Sequence, residues 1–396
     1  MVDDALVFFS EMIEKCMLPN VITYSSLIRG LCNFGRWKEA KRLLKEMVDL
    51  KNFPDVFTFS ILVDALCKEG MVRDAESIPK IMIQRGEGPD VVTYSVLING
   101  YCLQGQMDEA MKAFNSMVDR GIKPDVVTYS ALIHRYCLQG QMDEAMKAFN
   151  SMEDRRIKPN VITYNTLIHG YCLQGQMDEA MKAFNSMEDR RIKPNVVTFS
   201  ALIHGYCLQG QMDEAMKAFN SMEDGGIKPD VVTYSALIHG YCQMVEAMKA
   251  FNSMEDRRIK PNVITYNTLI HGYCLQGQMD EAMKAFNSME DRRIKPNLVT
   301  YSALIHGYCL QGQMDEAMKA FNSMVDRGIK PDVVTYSALI HGYCLQGQTD
   351  EAMRAFNSMV DRGIVPTNIT YDILINGYCM QMKIDEAMHL LREIPR

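Results

Sequence analysis

Apolar side chains recur along this chain at the spacing that places them on one side of an α-helix. In the stretch 91–103 the spacing is i, i+3, i+4, i+7 and i+8, occupied by Tyr94, Leu97, Ile98, Tyr101 and Cys102. Such a stripe is typical of an amphipathic helix that packs its apolar side against a neighbour. The pattern predicts a first helix, helix A, close to Val91–Leu103.

A second apolar stripe follows after an interruption at Gly105. Its members, spaced i, i+4 and i+7, are Ala110, Phe114 and Met117. Asp108 and Glu109 fall in the first turn, where acidic side chains interact favourably with the helix dipole. Gly121 supplies a C-terminal cap, and Pro124 bars continuation of the helix. We therefore expect helix B near Met107–Arg120, which makes each such stretch a helical hairpin.

The hairpin segment Val91–Asp125 recurs almost letter for letter. Closely similar stretches of 35 residues are Val126–Asn160, Val161–Asn195, Val196–Asp230, Val263–Asn297 and Leu298–Asp332. A fixed period of this length indicates a stacked repeat array. One hairpin cannot bury two apolar stripes, whereas stacked neighbours bury both and a small rotation per repeat produces a superhelix. The predicted fold is all-α, a right-handed superhelical α-solenoid of helix-turn-helix repeats.

The repeat frame divides the 396 residues into three parts. Residues 1–20 match only the second half of a unit, residues 21–367 hold ten repeats, and residues 368–396 form an incomplete final repeat. We expect a fragment or a truncated gene model, whose uncapped ends expose apolar surface and favour self-association. The repeat 231–262 is three residues short and lacks the turn glycine, which predicts a local defect, either a helix A shortened by nearly a turn or a crowded connection.

Four repeats carry arginine where the others have the capping glycine. These residues are Arg156, Arg191, Arg258 and Arg293. A residue other than glycine in the left-handed conformation costs about 1 kcal/mol, so we expect looser helix ends there.

Charge and cysteine usage narrow the function classes. The formal net charge of −7 argues against a generic phosphate-binding surface, although helix A of the common unit carries no charge. Eleven of the twelve cysteines share one position of helix A, without any Cys-X-X-Cys pair. This predicts reduced core thiols and an intracellular compartment. No long uncharged apolar run indicates a membrane span.

The near-identity of the repeats argues against an enzyme, because an active site needs different residues that converge once. The histidines are the most conspicuous candidates for metal ligands, since seven of them share the ninth position of a repeat. They are His134, His169, His204, His239, His271, His306 and His341. Each lies in its own hairpin, so we expect them to face solvent or a bound ligand, and we expect neither a metal nor a cofactor.

Two positions vary within the common unit while the remainder is nearly constant: the fifth residue (Ser or Asn) and the last (Asp or Asn). On a helical wheel, positions 2, 5 and 9 share one face, away from the core stripe at positions 4, 7, 8 and 11. We expect an exposed face on which small polar side chains distinguish ligands. The alternative is that the last residue merely caps the following helix, which Asp and Asn do equally well.

The unit, with its VVTYSALIxGYC opening and GIKPD ending, resembles the pentatricopeptide repeat family over essentially the whole chain. In detail it is similar to the P-class, restorer-of-fertility-like proteins of plant organelles. The resemblance implies binding of single-stranded RNA, one base per repeat, through two or three side chains. It also implies a mitochondrial location, with the chloroplast second, and a role in organellar RNA processing, stability or translation. A protein-binding scaffold and an inactive truncated duplicate are the competing hypotheses.

Donors and acceptors suggest how such a code operates. A carboxylate only accepts hydrogen bonds, so Asp at the last position favours the imino N–H of G or U, whereas the Asn amide suits A or C. At the fifth position, Ser leaves room for a purine and Asn favours a pyrimidine, and the family's code agrees. The candidate base-reading pairs are Ser25/Asp55, Ser60/Asp90, Ser95/Asp125, Ser130/Asn160, Asn165/Asn195, Ser200/Asp230, Ser235/Asn262, Asn267/Asn297, Ser302/Asp332 and the off-code pair Ser337/Thr367. The first nine predict the target 5′-GGGAYGAYG-3′, where Y is a pyrimidine, C before U.

Two further rows of residues follow from the resemblance. In the family, apolar side chains at the second position sandwich each base; here they are Ile22, Phe57, Val92, Val127, Ile162, Val197, Val232, Ile264, Val299, Val334 and Ile369. Many members carry Lys near the RNA phosphates at the thirteenth position, where this chain has Lys68 once and otherwise mostly leucine. Losing those charges predicts weaker and less salt-dependent binding. Protonated histidines at the ninth position are a hypothetical replacement for part of that charge.

Overall fold

The computed structural model describes residues 2–86, 88–241 and 247–393, and every regular element in these ranges is helical. Two compact units are formed, residues 1–198 and residues 199–396. Each is an α-solenoid of helix-turn-helix hairpins, which confirms the predicted fold class and period.

The first unit opens with a lone helix B and continues with alternating helices A and B. Its helices are α1 (Val2–Glu14), α2 (Val21–Asn33), α3 (Trp37–Asp49), α4 (Val56–Lys68), α5 (Val72–Gln84), α6 (Val91–Leu103), α7 (Met107–Asp119), α8 (Val126–Leu138), α9 (Met142–Asp154), α10 (Val161–Leu173) and α11 (Met177–Asp189). Helix α12 (Val196–Leu208) contains the boundary between the units. The predicted bounds of helices A and B are confirmed, with helix B ending one residue earlier than expected.

The second unit repeats the same alternation. Its further helices are α13 (Met212–Asp224), α14 (Val231–Tyr241), α15 (Ala247–Asp256), α16 (Val263–Leu275), α17 (Met279–Asp291), α18 (Leu298–Leu310), α19 (Met314–Asp326), α20 (Val333–Leu345), α21 (Thr349–Asp361), α22 (Asn368–Met380) and α23 (Ile384–Glu393). The junction 242–246 of the short repeat lies outside the described residues, and the predicted defect at Gln243–Val245 falls there.

The apolar stripes of both helices form the core, as predicted. The helix A stripe and the helix B stripe of the unit Val91–Asp125 are buried in full. Contacts between repeats follow one pattern: the ring of Phe114 in helix B meets the edge of Tyr129 in the next helix A, with centroids 5.4 Å apart. The hydroxyl of Tyr129 then lies 3.0 Å from Ser151 Oγ in its own helix B. A buried aromatic pair with a hydrogen-bonded hydroxyl fixes the stacking of successive hairpins.

Neighbouring helices A approach closely at a glycine. A Cβ added to Gly100 would lie 2.3 Å from Cys67 Sγ, and one added to Gly307 would lie 2.7 Å from the Cys274 Cβ. The cysteine row therefore packs against the glycine row of the following repeat. Nine of the described cysteines are buried, and none of those described is in a disulfide. Burial raises the pKa of the Cys102 thiol to about 12, which disfavours the thiolate. The predicted core position of these cysteines is confirmed within the described residues, and their reduced state stays a prediction.

The four capping arginines adopt the left-handed conformation that the sequence predicts, with φ between 59° and 61°. Gly121, at the equivalent position, has φ 75°. The hairpin ends with the same backbone turn in both cases, and the arginines adopt it at a conformational cost. Within the described residues, no helix is both long and apolar enough to cross a membrane.

Candidate nucleic-acid interface

One row of aliphatic side chains remains in solvent along helices A. The residues at the second position of each helix A, from Ile22 to Ile369, are each more than half exposed, from 51% at Val92 to 73% at Ile22. Large apolar side chains exposed at one position in every repeat mark an interaction surface, because isolated surface hydrophobics have no reason to recur in register. Phe57 is the aromatic exception, and the guanidinium of Arg29 lies 5.9 Å from its ring centroid.

The fifth position is not on this open surface, contrary to the expectation from the helical wheel. Ser95 is only 4% exposed, and the fifth residues Ser25, Ser60, Asn165, Ser200 and Asn267 are also buried. In the other four repeats the serine is half-buried: Ser130, Ser235, Ser302 and Ser337. A wheel places side chains relative to their own helix, whereas this position is covered by the next helix A.

In the nine repeats that end in Asp or Asn, the last residue caps the following helix, as the alternative interpretation held. The backbone N–H of Thr128 donates to Asp125 Oδ1 (2.9 Å), and the N–H of Thr163 donates to Asn160 Oδ1 (3.1 Å). The same bond is made by Asp55, Asp90, Asn195, Asp230, Asn262, Asn297 and Asp332.

The capping hydrogen bond determines which side-chain atom of the last residue remains without a bond to the helix. A backbone N–H can only donate, so it must face the side-chain oxygen Oδ1. The remaining atom is Oδ2, an acceptor, in Asp, and Nδ2, a donor, in Asn. Asp125 and Asn160 are both half-buried. The cap therefore presents opposite hydrogen-bonding characters in the two kinds of repeat.

A buried threonine connects the two variable positions. Thr128, the third residue of its repeat, is 0% exposed. Its Oγ1 lies 2.6 Å from Ser95 Oγ and donates to Asp125 Oδ1 at 3.0 Å. Both partners belong to the preceding repeat, although Thr128 opens the next one. A threonine recurs at the third position of every repeat, within an otherwise apolar helix start. This signal is visible in the sequence, but it was not among the predicted site residues.

Repeats with Asn at the fifth position use the same threonine differently. The hydroxyl of Thr198 donates to Asn165 Oδ1 at 2.6 Å, and Asn165 Nδ2 donates to Asn195 Oδ1 at 3.2 Å. The repeat 263–297 has the identical arrangement through Asn267, Thr300 and Asn297. In these repeats the two candidate base-reading side chains are bonded directly to each other.

In the second unit the exposed row borders a groove of about 620 Å³. Its lining is drawn from positions 1, 2, 5, 6, 9 and 35 of consecutive repeats and includes Val299, Val334, Ser302, Asp332, Ser337 and Thr367. The structure thus brings the sequence-predicted residues of these repeats to one concavity.

Three of the ninth-position histidines line this groove. His204 and His239 have ring centroids 6.3 Å apart, and His271, His306 and His341 line the groove of the second unit. Burial and the neighbouring histidine lower the pKa of His169. These causes disfavour the imidazolium, so the hypothesis that protonated histidines supply positive charge at neutral pH receives no support. Within the described part of the chain, no cluster of three or more His, Cys, Asp or Glu residues could hold a metal ion.

Positive charge is sparse beside the groove. Lys68 Nζ lies 2.6 Å from Asp64 Oδ2 one turn earlier in the same helix, so part of its charge is compensated locally. At the thirteenth position the leucines are exposed: Leu103, Leu138, Leu173, Leu208, Leu275, Leu310 and Leu345. The thirteenth position therefore presents exposed apolar side chains rather than positive charge in these repeats.

The repeat frame matches known proteins. A model of the PPR repeat family matches residues 1–33, 19–68, 63–103, 89–138, 124–173, 159–208, 195–243, 243–275, 261–309, 297–345 and 331–380, and a PPR repeat model matches 369–396. Among curated proteins, none matches the sequence.

Solved structures show the same likeness. The pentatricopeptide repeat protein PPR10, in complex with an 18-nt psaJ RNA element, is 28% identical over 99% of this chain, with a TM-score of 0.77. PPR10 from maize, in a separate crystal structure, is 25% identical over 99% of this chain, with a TM-score of 0.56. This chain spans 57% of the PPR10 chain in the RNA complex and 66% of it in the other structure. The family models cover the chain from end to end, and it therefore belongs to the pentatricopeptide repeat family.

Proposed function

We propose that this protein binds single-stranded RNA sequence-specifically, one base per repeat, with the target 5′-GGGAYGAYG-3′. The observation that carries the proposal is the capped last residue, which turns a donor or an acceptor outward from an otherwise constant scaffold. PPR10, which is similar along the whole chain, is crystallised with RNA.

Repeats ending in Asp present an acceptor. In the unit Val91–Asp125 the free Oδ2 of Asp125 suits an imino N–H, which G and U carry on their Watson–Crick edges. The small Ser95 leaves room for a purine, so this repeat selects G. Since Ser95 is buried, it contributes through its size rather than through an exposed hydroxyl.

Repeats ending in Asn present a donor. The oxygen of Asn160 is occupied by the helix cap, so its Nδ2 suits the unprotonated ring nitrogen of A or C. With Ser130 at the fifth position, the purine A is selected. In the pair Asn165/Asn195, the larger fifth residue excludes purines, and the donor character of Asn195 favours C over U.

The exposed second-position row supplies affinity. Aliphatic side chains such as Val92 and Val127 provide apolar contact to base faces, which every base offers alike. Binding acts by occupancy: the protein shields a transcript segment or blocks its refolding, and the proposed setting is organellar RNA metabolism, in mitochondria first. A role in fertility restoration belongs to the same proposal.

The test is a selection from randomised single-stranded RNA at one defined salt concentration, followed by affinity measurements on the recovered motif. We expect enrichment of the nonamer, with positions 1–3, 6 and 9 as G. Recovery of a different motif would refute the proposed decoding, and recovery of none would favour a peptide-binding scaffold over an RNA-binding protein.

A further inference from the structure

We propose that the buried third-position threonine is a positioning residue for base selection, and that each threonine acts on the base bound by the repeat before its own. This inference rests on the proposed RNA-binding function and deepens it. It concerns residues that neither vary between repeats nor touch the groove surface.

Each of the ten base-reading pairs is followed by such a threonine at the third position of the next repeat. The residues are Thr58, Thr93, Thr128, Thr163, Thr198, Thr233, Thr265, Thr300, Thr335 and Thr370, all 0% exposed. Each Oγ1 lies between 2.6 and 3.4 Å from a polar atom of the fifth residue of the preceding repeat. Each also lies between 2.7 and 3.2 Å from the side-chain oxygen of the last residue of that repeat. A fully buried hydroxyl thus joins the two variable side chains of every pair.

Hydrogen counting fixes the direction of these bonds in the repeat Val91–Asp125, where no second acceptor for the serine hydroxyl is seen among the described residues. Ser60, by contrast, also donates to the carbonyl oxygen of Val56. A carboxylate cannot donate, so the single hydroxyl hydrogen of Thr128 goes to Asp125. Ser95 must then donate its own hydrogen to Thr128, because the two hydroxyl oxygens lie 2.6 Å apart. The serine hydrogen is thereby held in the bond to Thr128, and Oδ2 of the carboxylate takes part in neither the cap nor the threonine bond.

The Asn/Asn repeats give the threonine hydrogen to a different acceptor. Thr198 lies closer to Asn165 Oδ1 (2.6 Å) than to Asn195 Oδ1 (3.2 Å), and Asn165 passes a hydrogen on to Asn195. The same threonine therefore supports two hydrogen-bonding patterns, and the identity of the fifth residue chooses between them. Base preference consequently depends on a group that is identical in every repeat.

Each threonine lies in the repeat after the base-reading pair that it contacts, and this offset of one repeat makes the inference testable. Thr128 lies in the repeat that binds nucleotide 4, but its hydroxyl contacts the pair assigned to nucleotide 3. Substitution Thr128→Val keeps the shape of the buried side chain and removes the hydroxyl. Thr128→Ser keeps the hydroxyl and is the conservative control.

The experiment measures the affinity of the full chain for the nonamer and for variants with each base at nucleotides 2, 3 and 4. For the wild type we expect G at nucleotide 3 to be preferred over A. Thr128→Val is expected to reduce that preference about tenfold, since the freed Ser95 and Asp125 can reorient, while nucleotides 2 and 4 keep theirs. Thr128→Ser is expected to retain the preference.

A second variant guards against a folding defect. Thr93→Val is expected to shift the effect to nucleotide 2, through Ser60 and Asp90. Uniform weakening for all RNAs, a change at nucleotide 4 instead of 3, or full selectivity in both Val variants would overturn the inference while leaving the proposed function intact. A wild type without preference at nucleotide 3 would overturn the proposed function, and the inference with it.

Discussion

At the scale of single residues, the side chains proposed to recognise RNA bases also stabilise the fold. Asp125 caps α8 with one carboxylate oxygen, and the other is the atom that we propose for base reading. Capping and base reading were alternatives when only the sequence was considered, and the geometry makes them compatible. Because the cap must use a side-chain oxygen, the remaining atom is a hydrogen-bond acceptor in Asp and a donor in Asn.

The ninth-position histidines predict a pH-dependent stability. Burial lowers the pKa of His134, His169, His271 and His306, assisted by Arg135 at the first and by neighbouring histidines at the others. The unfolded chain then binds protons more tightly than the folded chain. The stability they contribute is complete above about pH 6.5 and is lost as the pH falls through the lowered values.

We expect the urea midpoint to decrease between pH 7.5 and pH 5.5 in the wild type, and to decrease less when all four histidines are replaced by Asn. Asn99 occupies this position naturally, so the replacement is compatible with the fold. Equal pH dependence in the two proteins would show that these histidines do not titrate differently on folding.

At the scale of elements, the helices themselves follow from local pattern, whereas the site does not. The apolar stripes, the glycine at the turn and the proline after it predicted α6 and α7 almost to the residue. The burial of Ser95 and the role of Thr128 could not be predicted in this way. Both depend on the neighbouring helix A, whose distance is determined by packing between repeats rather than by the sequence of one helix.

That distance depends on the glycine at the tenth position. Gly100→Ala would place a methyl group 2.3 Å from Cys67 Sγ, so the helices must move apart. We expect a loss of about 1–3 kcal/mol in unfolding free energy, as is typical of overpacked cores. Urea denaturation measures it.

Gly30→Ala is the matched control, because Gly30 holds the same position in α2 and an added methyl group would meet only Val2 Cγ2, at 3.8 Å. Cys67→Gly combined with Gly100→Ala should recover part of the loss, since it removes the sulfur that the methyl group meets. Unchanged stability in Gly100→Ala alone would show that the close approach of α4 and α6 is not required.

At the scale of the whole molecule, the charge distribution governs how strongly any RNA is held. The chain has a net charge of −7, and its thirteenth-position leucines are exposed where the family often has lysine. Few phosphates would be neutralised, so the affinity should depend only weakly on salt. In the proposed RNA binding, the fifth and last positions therefore set the base selectivity, whereas the second and thirteenth positions set the affinity.

Replacing Leu138, Leu173 and Leu310 by Lys tests this separation. Each lysine that meets a phosphate should steepen the slope of log K against log salt by about 0.7, or about 2 for the three together. The order of preferred bases should not change. Leu→Gln at the same positions removes the apolar side chain without adding charge; a slope as steep in the Gln variant would contradict the assignment.

The measurement that tests the central claim most directly is the base preference of Asn160→Asp at nucleotide 4. The substitution keeps the oxygen that caps α10 and exchanges the outward Nδ2 donor for an acceptor. Affinities for nonamers that differ only at nucleotide 4 should change their preference from A to G, with the other positions unaffected and the unfolding midpoint nearly constant. An unchanged preference for A, with the protein folded and bound, would contradict the claim that the last residue of each repeat selects the base.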